Sequence, residues 1–185
     1  MRLFVALNLP EGIRRALWEA AEPLRHLGWP VKWVRPDGIH ITLKFLGEVT
    51  DTREPELRAA LGRVASTGHP VPLAIGGFGA FPSVERPRVL WAGLEPDPAL
   101  ELLQHRVEQE FAPLGFPPEG RPFRPHLTLG RAARDARPSQ FDRLEQSLSQ
   151  LRYEETTLVS SLDLMQSVLH GDGAVYQVRH SERLP

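Results

Sequence analysis

Apolar residues recur along this chain at two spacings, every second position and every third or fourth, and the switches between them mark the elements. Residues 2–9 (RLFVALNL) read as a strand closed by Pro10. Residues 11–27 carry Ile13, Leu17, Ala20, Leu24 and Leu27 at helical spacing up to Gly28, a helix stop. Residues 31–34 (VKWV) and 38–47 (GIHITLKFLG) predict two strands, joined as a hairpin by Arg35-Pro36-Asp37-Gly38. A second helix, begun by an Asp51 cap, spans 51–66. Residues 70–81 form a Gly-rich strand that bends, and 87–94 another strand. A third helix runs from Asp97 to Leu114, with Leu100, Leu103, Val107 and Phe111 on one face. After a Pro- and Gly-rich stretch, Gly115 to Pro125, comes the strand HLTLGR, then a short helix over 138–151. Strands over 156–167 and 174–181 flank Gly171-Asp172-Gly173, a hairpin turn.

Repeated hairpins predict mainly antiparallel pairing and an α+β class. One tetrapeptide stands out because it occurs twice: His40-Ile41-Thr42-Leu43 and His126-Leu127-Thr128-Leu129. Its occurrence once in each half predicts two similar lobes related by approximate twofold symmetry, with outer helices, the motif strands central and an active cleft between them. The whole chain, residues 1–185, is expected to be one domain of two such lobes.

Successive side chains of a strand point to opposite faces, so each motif shows one imidazole and one hydroxyl on one surface above an apolar underside. Histidine exchanges protons near neutrality. Two facing imidazoles can divide the cleavage of a phosphodiester, one accepting a proton from water and the other protonating the departing oxygen. Threonine hydroxyls would donate to the non-bridging oxygens, and Arg131, just past the second motif, could clamp the same phosphate if it swings round the strand end. A zinc site is the alternative for two histidines, but Glu48 and Asp135 lie too far along to complete a ligand set. By parity Lys44 shares the His40 face and, with Arg124, is a candidate for flanking phosphates. Phe45 and Trp33 could each stack on a base, but core is expected for both: Phe45 has the parity of Leu43, so a plain strand buries it unless a bulge re-aims the ring. His26, His69, His105, His170 and His180 read as surface residues.

Composition narrows the classes. With no Cys, disulfides, thiol nucleophiles and thiolate metal sites are excluded. A net charge of −1 argues against a chain that coats nucleic acid by charge alone. Only Lys32 and Lys44 are lysines, and the arginine bias reads first as genome composition or a warm habitat. No stretch reaches the length of a membrane span, so a cytoplasmic protein free of membrane is expected, and nothing suggests more than a monomer.

The segments VKWVRPDGIHITLKFLGEV, PFRPHLTLGR and RLFVALNLP together resemble the two-histidine (2H) phosphoesterase superfamily. Within it the chain is most similar to the RNA 2′,3′-cyclic phosphodiesterases, historically called 2′-5′ RNA ligases (LigT-like). FPSVERPRVLWAGLE and LMQSVLHGDGAVYQV extend the likeness over essentially the whole chain. The resemblance implies a bilobal α+β fold, no cofactor and no required metal. It also implies a reaction that opens a 2′,3′-cyclic phosphate on RNA ends or small nucleotides, leaving a 2′-phosphate. Carried over by motif, His40 is the proton donor and His126 the acceptor, Thr42 and Thr128 hold the phosphate, and Arg131 matches the family's arginine. Two rivals stay open: 2′-5′ ligation in the same site, and a non-catalytic module that binds RNA ends.

Overall fold

Five successive residues of the first strand, Leu3 to Leu7, are buried, which marks a strand covered on both faces. The computed structural model describes residues 1–171 and 173–185. In chain order the elements are β1 (Arg2–Asn8), α1 (Glu11–Ala20), α2 (Glu22–Arg25), β2 (Val31–Trp33), β3 (His40–Glu48), α3 (Glu54–Ser66), β4 (Val71–Pro82) and β5 (Pro87–Leu94). They continue with α4 (Pro98–Phe111), β6 (His126–Ala132), α5 (Leu144–Gln150), β7 (Glu154–Val159), β8 (Ser161–His170) and β9 (Gly173–Arg183). The strands form a four-stranded sheet, β3-β1-β8-β9, and a five-stranded sheet, β2-β6-β5-β4-β7, all antiparallel. The α+β class with antiparallel sheets is as the hydrophobic pattern predicts. Among the described residues no helix is long and apolar enough to cross a membrane.

On one face of the first sheet Leu3, Val5 and Leu7 join the main core, while Phe4, Ala6 and Met165 form a small apolar floor on the other. Helix α3 packs on β8, β9 and α4, and α4 reaches β3 and β4. The two motif strands, β3 and β6, touch across the gap between the sheets.

Several local expectations are corrected. Residues 35–38 do not make a hairpin: Pro36–Gly38 is a 3-10 turn that carries the chain from one sheet to the other. β2 pairs with β6 and β3 with β1, so the turn bridges sheets instead of closing a pair. The 11–27 helix breaks at Ala21 and restarts as α2 with Pro23 in its first turn, where the missing N–H is tolerated. Asp51 opens a 3-10 turn, and α3 starts after Arg53 with no side-chain cap. The 138–151 segment is a 3-10 turn and then α5, split by Arg143 in the left-handed region (φ 59°). The 156–167 strand is two, β7 and β8, which change sheets at Ser160. Nor are both motif strands central: β3 is an edge strand, whereas β6 lies inside its sheet. Of the expected turn Gly171-Asp172-Gly173, Asp172 lies outside the described residues; its flanking strands pair as far as His170 and Gly173.

Candidate active site

Both motif strands carry the same irregularity at the same place. Against β1, Ala6 faces Thr42 and Val5 faces Lys44, leaving Leu43 as an extra residue. Against β5, Trp91 faces Thr128 and Leu90 faces Gly130, leaving Leu129 extra. A bulge reverses the side-chain alternation beyond it. The burial sequences are accordingly identical over six positions: half-buried His, buried Ile or Leu, half-buried Thr, two buried residues, then an exposed one. That last position is Phe45 in one strand and Arg131 in the other.

The bulges settle three expectations. Arg131 needs no swing round the strand end, because the extra Leu129 returns it to the cleft side. Phe45, assigned to the core by parity, is 60% exposed, because Leu43 turns it outward. Lys44 is not available to a phosphate: it is 4% exposed, and its Nζ donates to both Glu108 carboxylate oxygens (3.1 and 3.0 Å) and to the Pro117 carbonyl (2.9 Å). At the matching position of β6 stands Gly130. A Cβ there would fall 2.6 Å from Val31 Cγ1 and 2.9 Å from the Trp33 ring, so glycine lets β2 seat against β6. Trp33 is half-buried, packed on the core and lining a groove as well. The other histidines are exposed except His180, which is half-buried and bonded to Glu182 at 2.7 Å.

Each imidazole is held alike. The Nδ1 of His40 lies 2.7 Å from the Gly38 carbonyl and that of His126 2.8 Å from the Arg124 carbonyl, both two residues back. A carbonyl only accepts, so each Nδ1 carries the proton and each Nε2 presents a lone pair. Thr42 Oγ1 sits 3.1 Å from His40 Nε2 and donates to it. Thr128 is half-buried two residues beyond His126.

Aromatic rings enclose both. Tyr176 meets His40 edge-on at 5.0 Å and Phe4 lies 4.9 Å away; Phe81 meets His126 edge-on at 5.0 Å. Burial among these groups, followed by the charge of Arg131 and the presence of His126, lowers His40 to about 4, against the pull of its Gly38 bond. Burial and Arg131 also lower His126. Both rings and Arg131 therefore share one electrostatic environment, and both rings are neutral at pH 7. Phe4, Phe81 and Tyr176 were not legible as site residues, since nothing near them in sequence marks a cleft.

Two grooves open beside the histidines. One, about 710 Å³, is lined by Thr42, Phe45, Phe81, Phe123, Arg124 and His126 among others. The second, about 740 Å³, is lined by Gly38, Arg131 and Tyr176 together with Trp33, Lys32 and Arg35. Among the described residues no cluster of three or more His, Cys, Asp or Glu is placed to hold a metal ion.

A sequence model of the 2′-5′ RNA ligase superfamily matches residues 13–171. An RNA 2′,3′-cyclic phosphodiesterase of Methanothermobacter thermautotrophicus is 32% identical over 178 residues, 95% of each chain. One of Thermus thermophilus is 35% identical over 96% of this chain and 87% of its own. Among solved structures, TT0787 of Thermus thermophilus superposes with a TM-score of 0.83 at 30% identity, covering 100% of this chain and 98% of that one. Escherichia coli LigT complexed with 3′-AMP superposes with a TM-score of 0.77 at 26% identity, covering 99% and 97%.

Proposed function

The chain belongs to the 2′-5′ RNA ligase superfamily, and from that premise we propose that it hydrolyses the terminal 2′,3′-cyclic phosphate of RNA to a 2′-phosphate by paired-histidine acid/base catalysis without a metal. The observation that carries this reading is the matched pair of imidazoles. Each is fixed by an Nδ1–H bond to the carbonyl two residues back and offers Nε2 for proton transfer. The curated relatives named above act, by name, on this class of substrate, and the complex of LigT with 3′-AMP supports a nucleotide as ligand.

In the proposed reaction His126 Nε2 takes a proton from water as the water oxygen bonds to phosphorus. The P–O3′ bond breaks, and the departing 3′-oxygen takes a proton from His40 Nε2. Water is consumed, and the product carries a 2′-phosphate and a free 3′-hydroxyl. Since His40 is neutral in the free protein, its donor role needs the anionic substrate to offset Arg131 and favour the imidazolium. Thr42, Thr128 and Arg131 hold the non-bridging oxygens, where charge develops. In the same site a 5′-hydroxyl replacing water would give a 2′-5′ linkage by the same displacement, its oxygen bonding to phosphorus as the P–O3′ bond breaks.

The test is an RNA oligomer ending in a 2′,3′-cyclic phosphate, incubated with EDTA and with a 5′-hydroxyl RNA. The expected product has a 2′-phosphate, unchanged length and an unchanged rate under chelation. A 3′-phosphate product, zinc-dependent turnover or a lengthened RNA would each overturn part of the proposal.

A further inference from the structure

The second groove has no part in the chemistry beyond Arg131, yet its composition is specific. Trp33 and Tyr176 contribute half-buried rings to its wall, and Lys32, Arg35 and Arg131 are exposed along it. Among the described residues none of these three cations engages in an ion pair, and Asp37 is the single lining carboxylate. Cations left unpaired beside aromatic rings form the combination that binds single-stranded nucleic acid, bases on the rings and phosphates on the cations.

The cationic line continues past this groove. Arg35 and Asp37 are shared with a neighbouring depression of about 300 Å³, lined also by Arg14 and by Arg15, the latter paired with Glu11 at 2.8 Å. At its near end the groove touches the catalytic centre through Gly38, whose carbonyl holds His40, and through Tyr176, whose ring packs on His40. The first groove, with Phe45, Phe81 and Phe123, is the more apolar and directly borders Thr42 and His126. A repeating line of cations suits a repeating line of phosphates.

We infer that the groove walled by Trp33 and Tyr176 and edged by Lys32, Arg35 and Arg131 is a track for the single-stranded RNA upstream of the cyclic phosphate. The inference rests on the proposed reaction for its choice of RNA. It makes the enzyme selective for RNA ends over free cyclic nucleotides. Each phosphate held on a single strand adds about 0.7 to the logarithmic salt dependence.

The test uses the full chain and the K32A/R35A double variant, both changes being at exposed side chains outside the catalytic set. A nucleoside 2′,3′-cyclic phosphate and an RNA decamer with the same terminal group are compared. The variant is expected to turn over the mononucleotide within twofold of the parent. On raising salt from 50 to 200 mM, kcat/KM for the decamer should fall about sevenfold more in the parent than in the variant, from two lost phosphate contacts. Equal losses on both substrates would place the two residues in the catalytic centre and overturn the track. No loss on either would leave the groove unused and overturn it too. A variant impaired only in joining a 5′-hydroxyl strand would assign the groove to an acceptor and contradict the upstream assignment. Fluorescence anisotropy of a labelled decamer with a 3′-phosphate reads the track without turnover. A weaker salt dependence of binding in the variant supports the track even if neither substrate is hydrolysed.

Discussion

Replacing His40 with asparagine removes an imidazole from the cleft while leaving an N–H that can reach the Gly38 carbonyl. In the folded protein His40 titrates at about 4, lowered first by burial and then by Arg131 and His126, whereas the unfolded chain titrates at the ordinary 6.5. Between these values the unfolded chain takes up a proton that the fold refuses, so acidification favours unfolding. The penalty is negligible above pH 7, grows as pH falls below 6.5, and levels off near 4 at roughly 3 kcal/mol. Between pH 7 and pH 5 it amounts to about 2 kcal/mol. Urea unfolding at the two pH values, for parent and H40N, reads it as a difference of differences. The constant effect of the substitution cancels, and the parent should lose about 2 kcal/mol more than the variant. Parallel losses would mean that His40 is not desolvated as its contacts with Phe4 and Tyr176 indicate.

The same depressed imidazoles set the rate profile: kcat/KM, which reports the free enzyme, should peak below pH 6.5, and the kcat profile should lie at higher pH because the bound anion raises both rings' proton affinity. Coincident profiles would show that the substrate charge does not reach the imidazoles. Lys44→Met leaves Glu108 buried and unpaired, and should cost about 3–5 kcal/mol in urea unfolding. A second change, Glu108→Leu, should recover much of it; a K44M loss under about 1 kcal/mol would refute the buried pair.

The alternation of His40 with Thr42 and of His126 with Thr128 is legible because it depends only on the strand period. The bulges that follow are not. Leu43 and Leu129 are ordinary strand residues, and their extra place in the register arises from how β1 and β5 pair with them. Two side-chain assignments, Lys44 and Phe45, fail for that single reason, and Arg131 reaches the cleft by it. The Pro36-Asp37-Gly38 turn signal is local and correct as a turn, whereas the partner of β2 is decided by β6, some hundred residues later. Glu108 carried a faint signal, a carboxylate beside the apolar face of Leu100, Leu103 and Val107, though its partner Lys44 could come only from the packing of α4 on β3.

The chemistry stands or falls on both imidazoles acting in one turnover. Single-turnover rates of H40A and H126A on an RNA decamer ending in a 2′,3′-cyclic phosphate, with unchanged circular dichroism, read this directly. Each variant should fall by about 10²–10⁴. Full activity in either would contradict a shared mechanism.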